Sequence, residues 1–237
     1  MTLKEKVRNI VLLLLGRLLP KQFGIGSGMG SLSEDRKKII EQAFMYTGNE
    51  LVEGDYIEFG VARGRTMIFA YESMSKQSNR VKHGKLIGFD SFEGFPEPGG
   101  VDKVFERFKK GEENHGGIQI TQRSFKKHGI DPEKITLVKG WYDQTLTNSE
   151  SYGIEKARVV NIDCDMYEST ILALRFLTPY LQQGTVLLFD DYLCYRADPS
   201  KGEQLAIKDW LNENKNISLI SYRSYANVGQ SFIVNLD

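Results

Sequence analysis

The sequence predicts an α/β fold in which a mostly parallel sheet carries helices on both faces. Short apolar runs of strand length alternate along the chain with longer stretches of helical periodicity. A chain that passes from strand to helix to strand lays its strands parallel and covers both faces of the sheet. The length of 237 residues suits one such domain, which we place at residues 33–237.

Residues 1–32 are predicted to lie outside that domain. Residues 10–15 read IVLLLL and Arg17 follows closely, so the apolar run is about half as long as a membrane span. For residues 5–20 we favour a helix that packs on the domain, a partner subunit or the mouth of the substrate site. A peripheral membrane contact and a signal peptide are the alternatives. Residues 24–30 (GIGSGMG) are interpreted as a flexible hinge, because no strand precedes them as in a phosphate-binding loop.

The elements of the domain follow in order. Ser31 or Ser33 is predicted to cap a helix that begins near Glu34. Strands are predicted at residues 55–60, 85–90, 135–140, 157–163 and 185–190, and helices at 66–75, 168–182 and 200–214. The polar segment 101–128 is predicted to be helical in pieces. Residues 217–222 and 231–236 are joined by too few residues for a crossover, which predicts an antiparallel hairpin at one edge of the sheet.

Composition narrows the choice of partners and compartment. Lys+Arg and Asp+Glu both total 31, so no overall basic field favours nucleic acid as a partner. Cys164 and Cys194 have no metal-binding spacing, which fits a reducing compartment and predicts a cytoplasmic protein. The three histidines are scattered, which disfavours a histidine-built zinc site.

Acidic residues stand where the predicted strands end. They are Glu58, Asp90, Asp163, Asp190 and Asp191. In an open α/β sheet, ligands bind at the carboxyl ends of the strands. A carboxylate buried there is costly unless it has a partner. Five acids at one edge therefore predict a ligand site.

The turn after the first strand contains Gly60 and Gly64, which let the backbone approach a ligand closely. It does not match GxGxxG, and any tight strand-to-helix turn favours glycine. Asp90, at the end of the second strand, is suited to accept hydrogen bonds from ribose hydroxyls. Its alternative role is to cap the turn that begins at Ser91.

Asp163, Asp190 and Asp191 should lie together, because the fourth and fifth strands are expected to be neighbours. Carboxylates this close repel one another unless a cation lies among them. An all-oxygen ligand set favours Mg²⁺, Mn²⁺ or Ca²⁺ over zinc. The alternative is a set of exposed loop acids and helix caps, and Asp165 in particular could cap the helix that begins near Tyr167.

Five segments in this order resemble the macrocin/mycinamicin sugar O-methyltransferase (TylF) family of class I methyltransferases. The resemblance covers roughly residues 33–237. The matching segments are residues 54–64 (GDYIEFGVARG), 89–96 (FDSFEGFP), 139–146 (KGWYDQTL), 163–170 (DCDMYEST) and 184–192 (GTVLLFDDY).

The resemblance implies a Rossmann-like sheet of seven strands with the last strand antiparallel, and S-adenosyl-L-methionine as cofactor. It implies a Mg²⁺ site at Asp163, Asp190 and Asp191, with Asp163 also beside the cofactor. Two departures are Cys164, where a glycine is expected, and segment 101–130, which has no counterpart and leaves the acceptor open. The cofactor residues implied are Glu58, Gly60, Val61, Gly64 and Thr66 for the methionine part, Asp90 and Ser91 for the ribose, and Gly140 and Trp141 beside the adenine.

Members of the family methylate sugar hydroxyls, so we expect a small-molecule or glycan hydroxyl as acceptor, and a homo-oligomer. The acceptor proton is predicted to go to a metal-site aspartate, Asp163 or Asp191, or to His115, although a solvated loop histidine is the favoured interpretation of His115. Three alternatives remain open: a catechol-type O-methyltransferase acting on an aromatic diol, a nicotinamide-dependent oxidoreductase, and a non-enzymatic scaffold.

Overall fold

The computed structural model describes residues 27–77, 83–104, 108–147 and 152–237. The apolar segment at residues 5–20 and the start of the predicted hinge lie outside these residues. Within the described ranges, no helix combines the length and apolar character that crossing a membrane requires.

Helices and strands alternate along most of the chain. The helices are α1 (Ser27–Asn49), α2 (Arg65–Ser75), α3 (Ile118–Lys127), α4 (Tyr142–Thr145), α5 (Tyr167–Leu177) and α6 (Gly202–Glu213). The strands are β1 (Gly54–Phe59), β2 (His83–Asp90), β3 (Ile135–Lys139), β4 (Ala157–Ile162), β5 (Val186–Phe189), β6 (Ile217–Tyr225) and β7 (Gly229–Leu236). Short 3₁₀ helices span Gly100–Val104, Pro132–Lys134, Thr178–Tyr180 and Tyr195–Ala197.

The seven strands form one sheet in the order β3-β2-β1-β4-β5-β7-β6. Strands β1 to β5 pair in parallel, whereas β7 is antiparallel to both of its neighbours, β5 and β6. The predicted α/β fold with a reversed last strand and an edge hairpin is therefore confirmed. The strand order reverses between β1 and β4, and the crevice at such a switch point is where ligands bind in open α/β sheets.

Two hydrophobic clusters cover the two faces of the sheet. Neighbouring residues of β1 point to opposite sides, so Ile57 joins the cluster that contains Trp210 of α6, and Tyr56 joins the cluster that contains Phe44 of α1. Strands β1, β4 and β5 at the centre of the sheet are thus buried on both faces, as their largely apolar sequences require. The polar residues at the carboxyl ends of the strands lie outside these clusters, where a ligand can bind.

Helix α1 begins earlier than the sequence predicts. It starts at Ser27, so residues 27–30 of the predicted hinge are helical. Ser31 and Ser33 both lie inside the helix instead of capping it. A glycine costs a helix about 1 kcal/mol. Burial of Ile39, Ile40 and Phe44 against the sheet stabilises α1 by more than that, because each buried side chain of this size contributes roughly 1.5–3 kcal/mol.

Helix α5 ends at Leu177, five residues before the predicted end, and continues as the 3₁₀ turn Thr178–Tyr180. Pro179 explains the difference, because proline lacks the N–H that an α-helix needs at that position.

Candidate active site

The turn that leaves β1 packs directly against the end of β4. Gly60 has a φ of +88°, and a Cβ added to it would lie 1.9 Å from the carbonyl oxygen of Asp163. The N–H of Asp163 donates to the carbonyl of Phe59 at 2.9 Å. Only glycine fits here, since it accepts the positive φ and leaves room for the neighbouring backbone. Two of the predicted segments are therefore held together by this one contact.

Glu58 ends β1 with a buried carboxylate. It accepts hydrogen bonds from the hydroxyl of Thr66 at 2.5 Å and from the hydroxyl of Tyr56. Burial disfavours the charged form and raises the pKa of Glu58 to about 8, although the two hydroxyls oppose that effect. The turn therefore contains an acid that would gain from a cation placed beside it.

Asp90 connects the end of β2 to the same turn. One of its carboxylate oxygens accepts from the N–H groups of Val61 and Ala62, both at 2.8 Å. The other oxygen accepts from the N–H of Phe92 at 2.6 Å, which is the capping contact expected as the alternative. Asp90 thus fixes the shape of the glycine turn, and its ribose contact remains a prediction.

The remaining cofactor candidates lie near Asp90. Ser91 donates its hydroxyl to the carbonyl of Gly94 at 3.0 Å, and the N–H of Gly140 donates to the carbonyl of Asp90 at the same distance. Trp141 follows at the N-terminus of α4 and is partly exposed. Gly64 begins α2 with a φ of +74°. These residues come to the carboxyl edge of the sheet, as the strand pattern predicts.

The ends of β4 and β5 bring three carboxylates together. Asp163, Asp190 and Asp191 each offer an oxygen, and these oxygens lie within 4.8 Å of one another. The N–H of Asp190 donates to the carbonyl of Ile162 at 3.0 Å, which aligns the two strand ends. Desolvation, followed by the charges of Asp190 and Asp191, raises the pKa of Asp163 well above its ordinary value. The predicted grouping is therefore confirmed, and its charges call for a cation.

Arg36 of α1 supplies one cation. Its Nε donates to both oxygens of Asp190, at 2.8 and 2.9 Å, and its Nη2 also donates to this carboxylate. The hydrogen bond to Asp190 is the main reason why the pKa of Arg36 is raised. Arg36 could not be predicted as a site residue, because nothing in a helical pattern marks an arginine that contacts a residue 154 positions away.

Glu203 of α6 and Asp165 extend the acidic region. The buried carboxylate of Glu203 accepts from the N–H of Asp191 at 3.1 Å, and burial is the main cause of its raised pKa. Asp165, Asp191 and Cys194 form a second group whose ligand atoms lie within 4.8 Å of one another. Asp191 therefore belongs to both groups.

Asp102, and not Asp165, caps α5. The buried carboxylate of Asp102 accepts from the N–H groups of Tyr167 and Glu168, at 3.1 and 3.3 Å, and from the hydroxyl of Tyr195 at 2.8 Å. The alternative interpretation of Asp165 as this cap was wrong. Asp165 has a φ of +57°, and its carboxylate belongs to the group with Asp191.

His115 precedes α3, and its Nε2 lies 3.1 Å from a carboxylate oxygen of Glu113. One third of the His115 side chain is exposed. This contact at the surface agrees with the favoured interpretation of a solvated loop histidine, and a role as base stays a prediction.

A sheet with this strand order and reversed last strand, and a glycine turn beside a carboxylate cluster at its switch point, define a Rossmann-like fold of the class I methyltransferase type. The family model of macrocin-O-methyltransferase (TylF) matches residues 26–218, and the chain belongs to this family. This membership decides against the nicotinamide-dependent alternative.

Known proteins share parts of the sequence and most of the fold. An 8-demethyl-8-(2,3-dimethoxy-alpha-L-rhamnosyl)-tetracenomycin-C 4'-O-methyltransferase from Streptomyces olivaceus is 30% identical over 145 residues, which is 60% of this chain and 54% of that protein. The chain spans about half the length of the first curated relatives it matches.

Two solved structures illustrate the shared fold. The O-methyltransferase NovP has a TM-score of 0.66 and 22% identity, over 84% of this chain and 79% of that one. TomG from Streptomyces achromogenes, an O-methyltransferase solved in complex with SAM, has a TM-score of 0.55 and 11% identity, over 100% of this chain and 99% of that one.

Proposed function

We propose that this protein is an S-adenosyl-L-methionine-dependent O-methyltransferase that acts on a sugar hydroxyl with the help of a divalent cation. The observation that carries the proposal is the contact between Gly60 and Asp163, because it places the glycine turn against the carboxylate cluster. A donor held by the turn and an acceptor held at the cluster would therefore be neighbours, as methyl transfer requires.

The turn suits a cationic cofactor. Glu58 is buried, and a positive charge nearby would favour its ionised form. In this proposal Gly60, Val61 and Gly64 form the turn beside which the cofactor lies. Thr66 donates a hydrogen bond to Glu58, and Asp90 with Ser91 lies beside the turn. Gly140 and Trp141 would border the base. S-adenosyl-L-methionine supplies a methyl group that its sulfonium already activates, and TomG, a protein with this fold, was solved with it.

The carboxylate cluster suits a hard divalent cation. Asp163, Asp190 and Asp191 offer only oxygen ligands, which favours Mg²⁺. When bound there, such an ion would lower the pKa of the acceptor hydroxyl. In this proposal Asp163 or Asp191 takes the acceptor proton, with His115 as the alternative base.

The acceptor class is inferred from the relatives. The tetracenomycin enzyme named above methylates a rhamnosyl group according to its name, and the family is named for macrocin. We infer a sugar hydroxyl of a natural product, a nucleotide sugar or a glycan as acceptor. Residues 5–20 are a candidate membrane contact for a lipid-linked glycan. Cys164 and Cys194 are buried and form no disulfide, which supports a reducing, cytoplasmic setting.

The test is transfer of labelled methyl from S-adenosyl-L-methionine into a panel of sugar acceptors and aromatic diols, with Mg²⁺ or with excess chelator. We expect label in a sugar acceptor, and only with the metal present. Label in diols alone would replace the sugar with a catechol-type acceptor. Full transfer in excess chelator would show that the divalent cation is not needed. If no acceptor in the panel takes up label, the proposed methyltransferase activity is contradicted.

A further inference from the structure

The carboxylate cluster and Arg36 of α1 form the strongest charged contact at the candidate active site. The guanidinium makes a bidentate contact with Asp190. The Asp190 side chain is 2% exposed, whereas that of Arg36 is 35% exposed. Planar, bidentate contacts of this kind are among the strongest polar interactions in proteins. Arg36 therefore neutralises part of the charge of the cluster.

A divalent cation at the cluster would need the same oxygens. Both carboxylate oxygens of Asp190 accept hydrogen bonds from Arg36, and one of them is needed to complete the ligand set with Asp163 and Asp191. Mg²⁺ and Mn²⁺ bind oxygen at roughly 2.1 Å and tolerate little distortion. A guanidinium in hydrogen-bond contact with a ligand would also repel the ion.

The helix that carries Arg36 has other anchors. Ile39, Ile40 and Phe44 are buried beneath it, and Lys37 pairs with Glu72 of α2 at 3.9 Å. Arg36 itself is one-third exposed, so its long side chain has solvent into which it can turn. Replacement of Arg36 by a cation at Asp190 therefore requires only the Arg36 side chain to move, while α1 stays in place.

We propose that Arg36 and a divalent cation compete for Asp190, so that the metal binds only when the Arg36 guanidinium leaves the cluster. The inference rests on the proposed metal site. Arg36 keeps the carboxylates paired before the metal arrives, and it sets the affinity at which the metal displaces it. By linkage, the metal weakens the contact of Arg36 with Asp190 as much as Arg36 weakens the metal.

The experiment measures the affinity for Mn²⁺ from the electron paramagnetic resonance signal of the free ion, with no acceptor present. The variant is Arg36→Gln, and the matched control is Lys37→Gln, which removes the same charge from the neighbouring position. Arg36→Gln should bind Mn²⁺ about tenfold more tightly than the unaltered protein, because a charge-assisted bond no longer has to be broken. Lys37→Gln should bind within about twofold of the unaltered protein, since Lys37 pairs with Glu72 of α2 and not with the carboxylate cluster.

A second variant and a second signal make the test independent of the stability of Arg36→Gln. Arg36→Lys keeps the charge but loses the bidentate fork. Its affinity for Mn²⁺ should therefore lie between those of the unaltered protein and Arg36→Gln. In the unaltered protein, the Nε–H resonance of Arg36, identified by its loss in Arg36→Lys, should shift when Mg²⁺ is added.

Each outcome has one meaning. Equal or weaker Mn²⁺ binding by both Arg36→Gln and Arg36→Lys, or an Nε–H resonance that Mg²⁺ does not move, would overturn the competition and leave the metal site intact. If the unaltered protein and Arg36→Gln both fail to bind Mn²⁺, or if Asp190→Asn binds it as well as the unaltered protein does, the proposed metal site is wrong and the competition falls with it.

Discussion

The α-carbon of Gly60 lies so close to the backbone of Asp163 that an added Cβ would stand 1.9 Å from the carbonyl oxygen. Gly60 belongs to the turn that we propose holds the cofactor, and Asp163 belongs to the carboxylate cluster. The two functional parts of the site are thus joined through backbone, without an intervening side chain. Strain at this contact should therefore affect both parts together.

Gly60→Ala is the direct test. The substitution adds a Cβ at a φ of +88° and against a fixed carbonyl. Strained backbone of this kind costs about 1–3 kcal/mol, and relief of the clash must shift β1 or β4. We expect a loss of about 2 kcal/mol or more in the free energy of unfolding, measured in urea, and weaker binding of both S-adenosyl-L-methionine and Mn²⁺.

The control is Gly129→Ala. Gly129 also has a positive φ, of +65°, but an added Cβ there would meet nothing within 4 Å. This variant should lose about 1 kcal/mol of stability from backbone strain and bind both ligands normally. Normal ligand binding by Gly60→Ala would show that the contact does not couple the two parts.

The parallel strands, the edge hairpin and the candidate acids could be predicted because their signals are local. An apolar run of strand length that ends in Glu58 or Asp163 is visible in a few consecutive residues, and parallel strands necessarily bring such ends to one edge. The short connection before β7 likewise excludes a crossover. These features need no knowledge of how the helices are rotated on the sheet.

Arg36, Glu203 and Asp102 could not be predicted, because their contacts depend on that rotation. Glu203 lies in the first turn of α6. An acid at this position is ordinarily expected to be solvated and to interact favourably with the helix dipole. Asp102 caps a helix that begins 65 positions later in the chain. The alternative cap, Asp165, was closer in sequence, but its carboxylate belongs to the group with Asp191 and Cys194.

Asp190 should be essential for methyl transfer but not for binding of S-adenosyl-L-methionine. Asp190→Ala removes one oxygen ligand from the cluster, and the loss of metal assistance costs several kcal/mol at the transition state. We expect transfer of labelled methyl to fall at least about 100-fold, while the Kd for S-adenosyl-L-methionine, measured by calorimetry, changes less than about threefold.

Glu155→Gln serves as the control for Asp190→Ala. Glu155 is an exposed acid just before β4, at the opposite edge of the sheet. Its replacement should leave transfer and binding unchanged. Normal turnover by Asp190→Ala would remove Asp190 from the mechanism.

Glu58 should make the stability of the ligand-free protein depend on pH. Burial raises its pKa from 4.5 to about 8, so the folded protein holds this proton more tightly than the unfolded chain. The contribution is fully present below pH 4.5 and is lost as the pH rises through about 8. Between these values the free energy of unfolding should fall by up to about 1.4 kcal/mol per pH unit from this group.

Glu58→Gln removes that titration and retains one oxygen that can accept from Tyr56 or Thr66. The difference in free energy of unfolding, variant minus unaltered protein, should therefore increase between pH 6 and pH 8 in urea unfolding experiments. Glu155→Gln, at the opposite edge, provides the comparison. A constant difference for Glu58→Gln across this range would mean that Glu58 is ionised in the folded protein at pH 6.

Asp102 should stabilise the fold from outside the sheet. Its buried carboxylate satisfies two N–H groups at the start of α5 and the hydroxyl of Tyr195, so Asp102→Ala leaves three donors without their acceptor. A lost helix cap typically costs about 1 kcal/mol, and buried donors left unpaired cost about 1–3 kcal/mol. We expect a loss of about 2–4 kcal/mol in urea unfolding. Asp131→Ala removes a similar contact to the N–H of Glu133 at the surface and should lose less than about 1 kcal/mol. If the two variants lose equal stability, the burial of Asp102 would not be what makes its contacts strong.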